Sequence, residues 1–265
     1  MFEVFDYDFM QRAFLAGIII ATLASISGTF VVLKRYSMMS ETLAHSALVG
    51  VAVGLVAGYN PLWVAVVVAV LSAWIIEYLR SSFSLYSDAI LSILLSGSLA
   101  VAIIIVSLGG AFNNSLLSYL FGSILSVSNA DIVSISIFGT LSLILLLSFS
   151  KELYFIAYDE EVAKTSGIKV KALNFLLVTV VAVIIALSIR VVGSLLIGAL
   201  MVIPTVSALQ YRVGFLKTVL ISLFIAIFSV IAGMIFSFYF SLPSGATIVL
   251  CVIFIFIISL LVNKK

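Results

Sequence analysis

Charged side chains are scarce in this sequence, and their scarcity decides the class of protein. Asp, Glu, Lys and Arg make up 9% of the 265 residues, whereas 64% are hydrophobic. Soluble domains carry about 25% charged residues, so a water-soluble fold is excluded, and the mean hydropathy of +1.39 agrees. The net charge of +2 is too small to indicate a nucleic-acid partner, and the basic residues are dispersed between apolar runs instead of forming one patch.

Cysteine, histidine and phosphate-binding loops are just as rare. Cys251 is the only cysteine, which excludes an intrachain disulfide and favours a role as a small apolar filler. His45 is the only histidine, so a zinc protease with two histidines on one helix is excluded. No glycine-rich loop is followed by a lysine, and any ATP hydrolysis must therefore come from another chain.

Long apolar runs fill the space between the few charges. A helix needs about 20 apolar residues to cross the hydrocarbon core of a membrane. The runs do not alternate polar and apolar side chains, which excludes the strands of a membrane barrel. We expect an all-α, polytopic membrane helical bundle that forms a single transmembrane domain over residues 1–265. About nine spans are predicted, near 11–33, 41–58, 61–79, 88–108, 131–150, 172–190, 191–210, 215–239 and 245–262.

The basic residues lie mostly on one side of this arrangement. The connections after odd-numbered spans, together with the C-terminal tail, contain eleven of the 13 basic residues. Short loops with positive charge stay in the cytoplasm, which predicts an N-terminus outside and a C-terminus in the cytoplasm. Only Arg12 and Arg190 fall on the other side.

Glu41 and His45 are the polar pair with the clearest chemistry. They are four residues apart, so on a helix they share one face. An imidazole with a carboxylate suits zinc and is tolerable to manganese or iron. Two ligands from one chain would not trap a metal, which suits a path that must release it. A hydrogen-bonded pair at the start of a helix, without metal, explains the spacing equally well.

Residues 191–210 form the least regular of the predicted spans. Gly193, Gly198 and Pro204 interrupt it, and backbone groups freed at membrane depth are tolerable only against protein or a water-filled path. A kinked packing helix and a pore-lining helix both fit this pattern. Arg190, just before the span, would either snorkel to the surface or brace a broken helix, and we favour the brace.

Four segments resemble the signatures of one family, the zinc/manganese permeases of ABC transporters, also called the ABC-3 type. They are LKRYSMMSETLAHSALVGVAVG (33–54), LLSYLFGSILSVSNADI (116–132), RVVGSLLIGALMVIPTVSAL (190–209) and LPSGATIVLC (242–251). Their order and spacing also fit, and the LAHSAL phrase resembles the zinc-uptake branch more than the manganese branch. Glu41 stands where such permeases usually have an aspartate.

The resemblance implies a permease like those of type II ABC importers, with a set of partners. It implies a homodimer around a central path, two cytoplasmic ATP-binding subunits and an extracytoplasmic metal-binding protein, all at the cytoplasmic (inner) membrane of a bacterium. It implies no tightly bound cofactor, because Zn²⁺ or Mn²⁺ is transported and ATP acts only through the partner ATPase. By position, Glu41 and His45 match the family's acid–histidine pair and would be transient metal ligands in the path.

The segment after Pro204 resembles the cytoplasmic coupling region of the related importers for vitamin B12 and iron chelates. The resemblance therefore predicts that the ATPase contacts the connection 205–217, in preference to the loop 151–171. The predicted coupling residues are Thr205, Gln210, Tyr211, Arg212, Gly214 and Lys217.

The sequence thus predicts the membrane-spanning permease subunit of an ATP-driven importer for divalent metal. Zinc is the first choice of cargo, with manganese or iron as the alternative, and the subunit itself is expected not to be an enzyme. An ion-coupled secondary metal transporter is the main rival. Such carriers place several charged residues in mid-membrane, whereas these spans are almost free of charge away from their ends.

Overall fold

The computed structural model describes residues 7–82, 87–109, 114–123 and 127–262, and these ranges contain helices but no strand. The predicted basic tail, Lys264 and Lys265, lies outside them. Twelve helices are present in the described ranges. They are α1 (Asp8–Leu33), α2 (Ser37–Ala57), α3 (Pro61–Ser82), α4 (Ser87–Leu108), α5 (Asn114–Phe121), α6 (Asn129–Ser148), α7 (Ser150–Tyr158), α8 (Glu160–Thr165), α9 (Val170–Val192), α10 (Ile197–Leu209), α11 (Phe215–Phe240) and α12 (Ser244–Val262).

Eight of these helices are long and apolar enough to cross a membrane, which confirms the predicted all-α, polytopic class. They are α1, α2, α3, α4, α6, α9, α11 and α12. The predicted span 191–210 differs, because residues 191–192 complete α9 and the chain becomes helical again only at Ile197. The 13 residues of α10 extend about 20 Å, which is less than the roughly 30 Å of a hydrocarbon core.

The break before α10 is built around Gly193. Its φ of 91° lies in the left-handed region, and a Cβ there would lie 2.4 Å from the Leu120 carbonyl oxygen, so only glycine fits. The freed backbone groups bond to the end of α5: the Ser194 amide donates to Tyr119 (2.9 Å) and the Leu195 amide to Leu120 (3.2 Å). Protein thus satisfies a break at membrane depth, as such breaks require.

Helix α2 lies inside the bundle and packs against α3, α4, α9 and α10. It begins at Ser37, earlier than the predicted 41, so Glu41 is already in its second turn. Glycines let α3 approach α2 closely, because a Cβ on Gly50 would lie 2.5 Å from Ala65 and one on Gly54 would lie 2.7 Å from Pro61.

One end of the bundle combines most of the described basic residues, and we call it the basic end. It consists of the turn 34–36, the end of α3 at Arg80, the segment from α7 to Lys171 at the start of α9, and residues 210–217. Aromatic rings join these parts, since Phe215 lies 5.6 Å from Phe30 and 4.5 Å from Tyr154 between ring centroids. The two connections considered as partner contacts, 151–171 and 205–217, therefore form one continuous surface.

Candidate functional site

One narrow stripe of α2 remains open, while most of the rest of the helix is buried. Counted together with His45, its members recur every three or four residues, the spacing of one helix face: Met38, Glu41 and Val56 are exposed, and Val49 and Val53 are half-buried. His45 lies in the middle of this stripe and is buried, with 5% of its surface accessible. The stripe therefore brings the predicted acid and histidine to the same open side of the chain.

The His45 imidazole is unsatisfied within the described part of the chain. Its Nδ1 is buried and has no hydrogen-bond partner there, which is costly for a polar atom in an apolar surrounding. The Glu41 carboxylate is exposed and acts on His45 electrostatically. No hydrogen bond joins Glu41 and His45 in the described part of the chain, so the hydrogen-bonded pair considered from the sequence is not formed and Nδ1 stays without a partner.

Helix α10 flanks the pair. A Cβ built on Gly198 would lie 3.5 Å from the Glu41 amide nitrogen, which is van der Waals contact, so α10 lies directly beside the start of α2. Ala199, Val202 and Val206 are half-buried at helical spacing, and they give α10 a partly open apolar face. Among the described residues no three His, Cys, Asp or Glu side chains lie together, so the described chain supplies at most the two donors Glu41 and His45 here.

A second polar cluster braces the broken helix at the end opposite to the basic end. Arg190, in the last turn of α9, forms an ion pair with Asp131 and donates to the Tyr119 hydroxyl at 3.2 and 3.3 Å. Asp131 in turn accepts from the backbone and hydroxyl of Ser128, which caps α6. The favoured interpretation of Arg190 as a brace is thereby supported. The acid partner was missed from the sequence, although the spacing of Ser128 and Asp131 is a capping signal.

A third cluster, at the turn between α1 and α2, was also missed, because its basic residues were counted only as loop charges. Lys34 donates to the Asn174 side chain, and its ammonium lies 5.0 Å from the centre of the Tyr36 ring. The Arg80 guanidinium lies 4.9 Å from the same ring centre and holds the buried Glu77 through two bonds of 2.7 and 3.0 Å. The turn that starts α2 is thus locked to α3 and α9.

Burial dominates the electrostatics of this turn. It lowers the pKa of Lys34 to about 8 and raises the pKa of Tyr36. Burial alone would also raise the pKa of Glu160, at the start of α8. The hydrogen bond from Lys164 and the nearby charges of Lys34 and Arg80 lower it instead. Lys34, Tyr36, Arg80 and Glu160 line a cavity of about 480 Å³ between the turn and α7–α8, so α8 interacts electrostatically with the turn that leads into α2.

The predicted coupling residues divide into buried and exposed members. Thr205 is fully buried, with its hydroxyl 3.1 Å from that of Ser222 and 3.4 Å from that of Thr29, so it offers no surface to a soluble partner. Gln210 is half-buried. The exposed members are Tyr211, Arg212, Gly214 and Lys217. On the adjoining α7–α8 segment, Tyr158 is 83% exposed and Val162 is 46% exposed.

The model of the ABC 3 transport family matches residues 6–263, which is nearly the whole chain. The chain belongs to this family. A probable metal transport system membrane protein of Treponema pallidum is 36% identical, with 96% of this chain and 95% of that protein covered. The high-affinity zinc uptake system membrane protein ZnuB of Haemophilus influenzae is 30% identical, with 98% and 99% covered. The manganese import system permease protein ScaB of Streptococcus gordonii is 29% identical, with 98% and 93% covered.

The fold agrees with a solved structure. A chain of PsaBC from Streptococcus pneumoniae, in complex with a Fab, superposes with a TM-score of 0.86 at 28% identity, and the match covers 97% of this chain and 92% of that chain. The predicted resemblance to ABC permeases is therefore confirmed at the level of family and fold. The curated relatives include both a zinc and a manganese system.

Proposed function

We propose that this chain is the membrane permease subunit of an ATP-driven importer for divalent metal, with Zn²⁺ as its cargo. One observation carries the proposal: the Glu41–His45 pair keeps donor atoms free on an open stripe of an otherwise buried helix. A buried nitrogen without a partner is a cost unless a ligand compensates it. A passing cation, bound by the two donors and then released, would compensate this cost.

The donor set favours zinc over manganese. Imidazole nitrogen is a preferred ligand of zinc, whereas manganese is better served by oxygen donors alone. The similarity to ZnuB, at 30% identity, supports the same choice, while ScaB, at 29%, keeps manganese as the alternative. Iron would be bound by the same imidazole and carboxylate.

The translocation path would lie between two copies of the chain. The open stripe of α2 and the partly open face of α10, through Ala199 and Val202, are the surfaces that would line it. A second copy related by a two-fold axis would bring a second Glu41 and His45 toward the first pair. Alternating access would follow from rigid-body shifts of the helices that line the path.

The ATPase would dock on the basic end. We assign the contact to the exposed part of the 205–217 connection, Tyr211 to Lys217, together with the adjoining Tyr158 and Val162 of α7–α8. A push on α7–α8 would reach α2 through the cavity-lining groups Glu160, Lys34 and Tyr36. This route joins the energy source to the helix that carries the metal donors.

The proposed orientation puts the basic end in the cytoplasm and the brace of Arg190 outside, as the positive-inside rule predicts. The membrane would be the bacterial cytoplasmic membrane, with an extracytoplasmic metal-binding protein delivering the ion to the outer side. A cysteine introduced beside Lys264 tests this orientation. It should resist an impermeant thiol reagent in intact cells and react after the cells are opened.

Transport by the whole complex, reconstituted with its ATPase, tests the function. Radioactive zinc should enter vesicles only with hydrolysable ATP, and excess unlabelled zinc should compete better than manganese. A secondary transporter would instead move zinc with an ion gradient and no ATP. If manganese competes better than zinc, the permease assignment stands and the cargo is wrong.

The docking surface is tested by crosslinking in the same complex. Photo-crosslinkers at Tyr211 and Gly214 should capture the ATPase, and so should one at Tyr158. Leu250 serves as the control position, because it is 65% exposed on α12, away from the basic end. Capture from Tyr158 without capture from Tyr211 or Gly214 would remove the 205–217 connection from the contact.

A further inference from the structure

An open apolar groove lies on the surface of the bundle where α3, α6 and α9 meet. Trp74 of α3 and Leu145 of α6 form its walls, and Phe175, Leu176, Thr179 and Val180 of α9 form its floor. Its volume is about 470 Å³, and its lining is almost entirely apolar. None of these residues belongs to the open stripe of α2 or to the basic-end surface.

The groove has a defined shape because one hydrogen bond fixes its largest wall. The Trp74 indole donates to the Thr179 hydroxyl at 2.8 Å, and that hydroxyl donates to the Phe175 carbonyl at 2.6 Å. The indole N–H is therefore satisfied by protein, and the remaining ring surface, with Trp74 47% exposed, is apolar. Such a surface suits a hydrocarbon chain better than water or a polar ligand.

A free positive charge lies in register with the groove at the basic end. Lys171, Phe175 and Thr179 are each four residues apart on α9, so they follow one face of the helix. Lys171 is exposed, and within the described residues it forms no ion pair. Tyr78, one turn after Trp74, is 59% exposed, and tyrosine at this depth is typical of the membrane–water boundary.

We propose that the groove binds one acyl chain of an anionic phospholipid, whose phosphate contacts Lys171. The apolar lining binds the acyl chain and the Lys171 ammonium contacts the headgroup phosphate. The site therefore selects lipids by charge as well as by hydrophobicity. A zwitterionic phospholipid offers the same chain with no net charge, and it should bind less well.

The two tryptophans of the chain supply a reporter and a control. Trp74 lines the groove, whereas Trp63, on the same helix about 16 Å away, is 40% exposed and packs edge-on against Phe138 at 5.2 Å. Trp63→Phe leaves only the groove reporter, and Trp74→Phe leaves only the control reporter. Both proteins are reconstituted full length into phosphatidylcholine vesicles that contain a small fraction of chain-brominated lipid, which quenches nearby tryptophan.

Brominated phosphatidylglycerol should quench Trp74 at a roughly fivefold lower mole fraction than brominated phosphatidylcholine, as expected for one lysine at an anionic headgroup. Trp63 should not distinguish the two lipids. Lys171→Gln should remove the preference of Trp74 and Lys171→Arg should keep it. Lys169→Gln removes the same charge two residues away, at the N-cap position just before α9 begins, and should also keep the preference.

Three results would overturn the proposal. Equal quenching of Trp74 by both lipids would mean that the groove has no headgroup selectivity. A preference that survives Lys171→Gln, or that Lys169→Gln removes equally, would reflect general attraction to the basic end. Absence of any Trp74 quenching would mean that another protein surface, such as a second copy of the chain, covers the groove.

Discussion

The brace at Arg190 and the pair at Glu41–His45 are both polar clusters in an apolar bundle, and they differ in one respect. Arg190 has an ion pair with Asp131 and two bonds to Tyr119, so the brace is satisfied within the chain. His45 keeps a buried nitrogen without a partner. The comparison teaches that internal partners identify a polar group that holds the fold, whereas a free donor on an open face identifies one kept for a ligand.

Among the changes considered, replacement of His45 should have the largest effect. It should lower zinc uptake without lowering the stability of the subunit. Even the partners that orient a metal ligand are worth about 10- to 100-fold in affinity or activity, so His45→Ala should lower zinc uptake by at least this factor. Removal of an unsatisfied imidazole should leave the unfolding midpoint unchanged or slightly higher. Uptake by the whole transporter in vesicles and thermal unfolding of the purified subunit measure the two quantities.

Ser46, the next residue of α2, is the matched control, because its hydroxyl lies 3.0 Å from that of Ser98 and packs two helices together. Ser46→Ala should cost about 1 kcal/mol of stability and keep most of the uptake. If His45→Ala transports zinc normally, or loses uptake only because it unfolds, the contrast between the two clusters is lost.

Replacements of Glu41 test the same contrast between the metal pair and the brace. They should lower zinc uptake less than His45→Ala does. Glu41→Asp keeps the charge and the oxygen donors, and it should retain the most uptake. Glu41→Gln keeps the shape and one weak oxygen ligand but loses the charge, so its uptake should fall between those of Glu41→Asp and His45→Ala. Zinc uptake at several external concentrations gives the order, and a Glu41→Gln protein worse than His45→Ala would reverse the assigned roles.

Loss of the brace should act on stability instead. Arg190→Leu leaves the mostly buried Asp131 without its ion pair, and breaking such a pair costs about 3 kcal/mol. Chemical unfolding in detergent measures this cost. Arg12→Leu is the control at the same end of the bundle, because Arg12 is half-buried and, among the described residues, bonds to the carbonyl of Asp8 in its own helix and to no acidic side chain. Equal free energies of unfolding for the two variants would show that the Arg190–Asp131 ion pair does not stabilise the fold.

Lys34 is intermediate between the satisfied brace and the unsatisfied His45. It has a hydrogen-bond partner, but burial disfavours its charged form and lowers its pKa to about 8. Between pH 8 and 10.5 the unfolded chain binds more protons at this site than the folded one, so this residue's contribution to the free energy of unfolding rises with pH. Lys34→Met should remove about 1 kcal/mol of this rise, because solvent screens the partly exposed amine. Unfolding curves of both proteins at pH 7.5 and 10 compare the slopes, and parallel slopes would contradict the burial effect.

Much of the fold could be predicted from composition alone. Charge-free runs of about 20 residues indicated the eight long helices, because only a helix satisfies its own backbone in lipid. The candidate pair could also be predicted, since a spacing of four residues brings Glu41 and His45 to one face of any helix. The resemblance in LAHSAL and its companion motifs then indicated the family that the comparisons confirm.

Tertiary structure alone decided which interruptions and charges matter. Gly193 and Pro204 are equally visible in the sequence, yet the helix breaks at Gly193, because the end of α5 supplies the hydrogen bonds that the freed amides need. The sequence likewise determined that Arg190 and His45 exist at membrane depth, but not that one would meet Asp131 and Tyr119 and the other would keep a free nitrogen. Periodicity reports which residues share a helix face, whereas the satisfaction of a polar group depends on side chains far away in the sequence that only packing brings within hydrogen-bond distance.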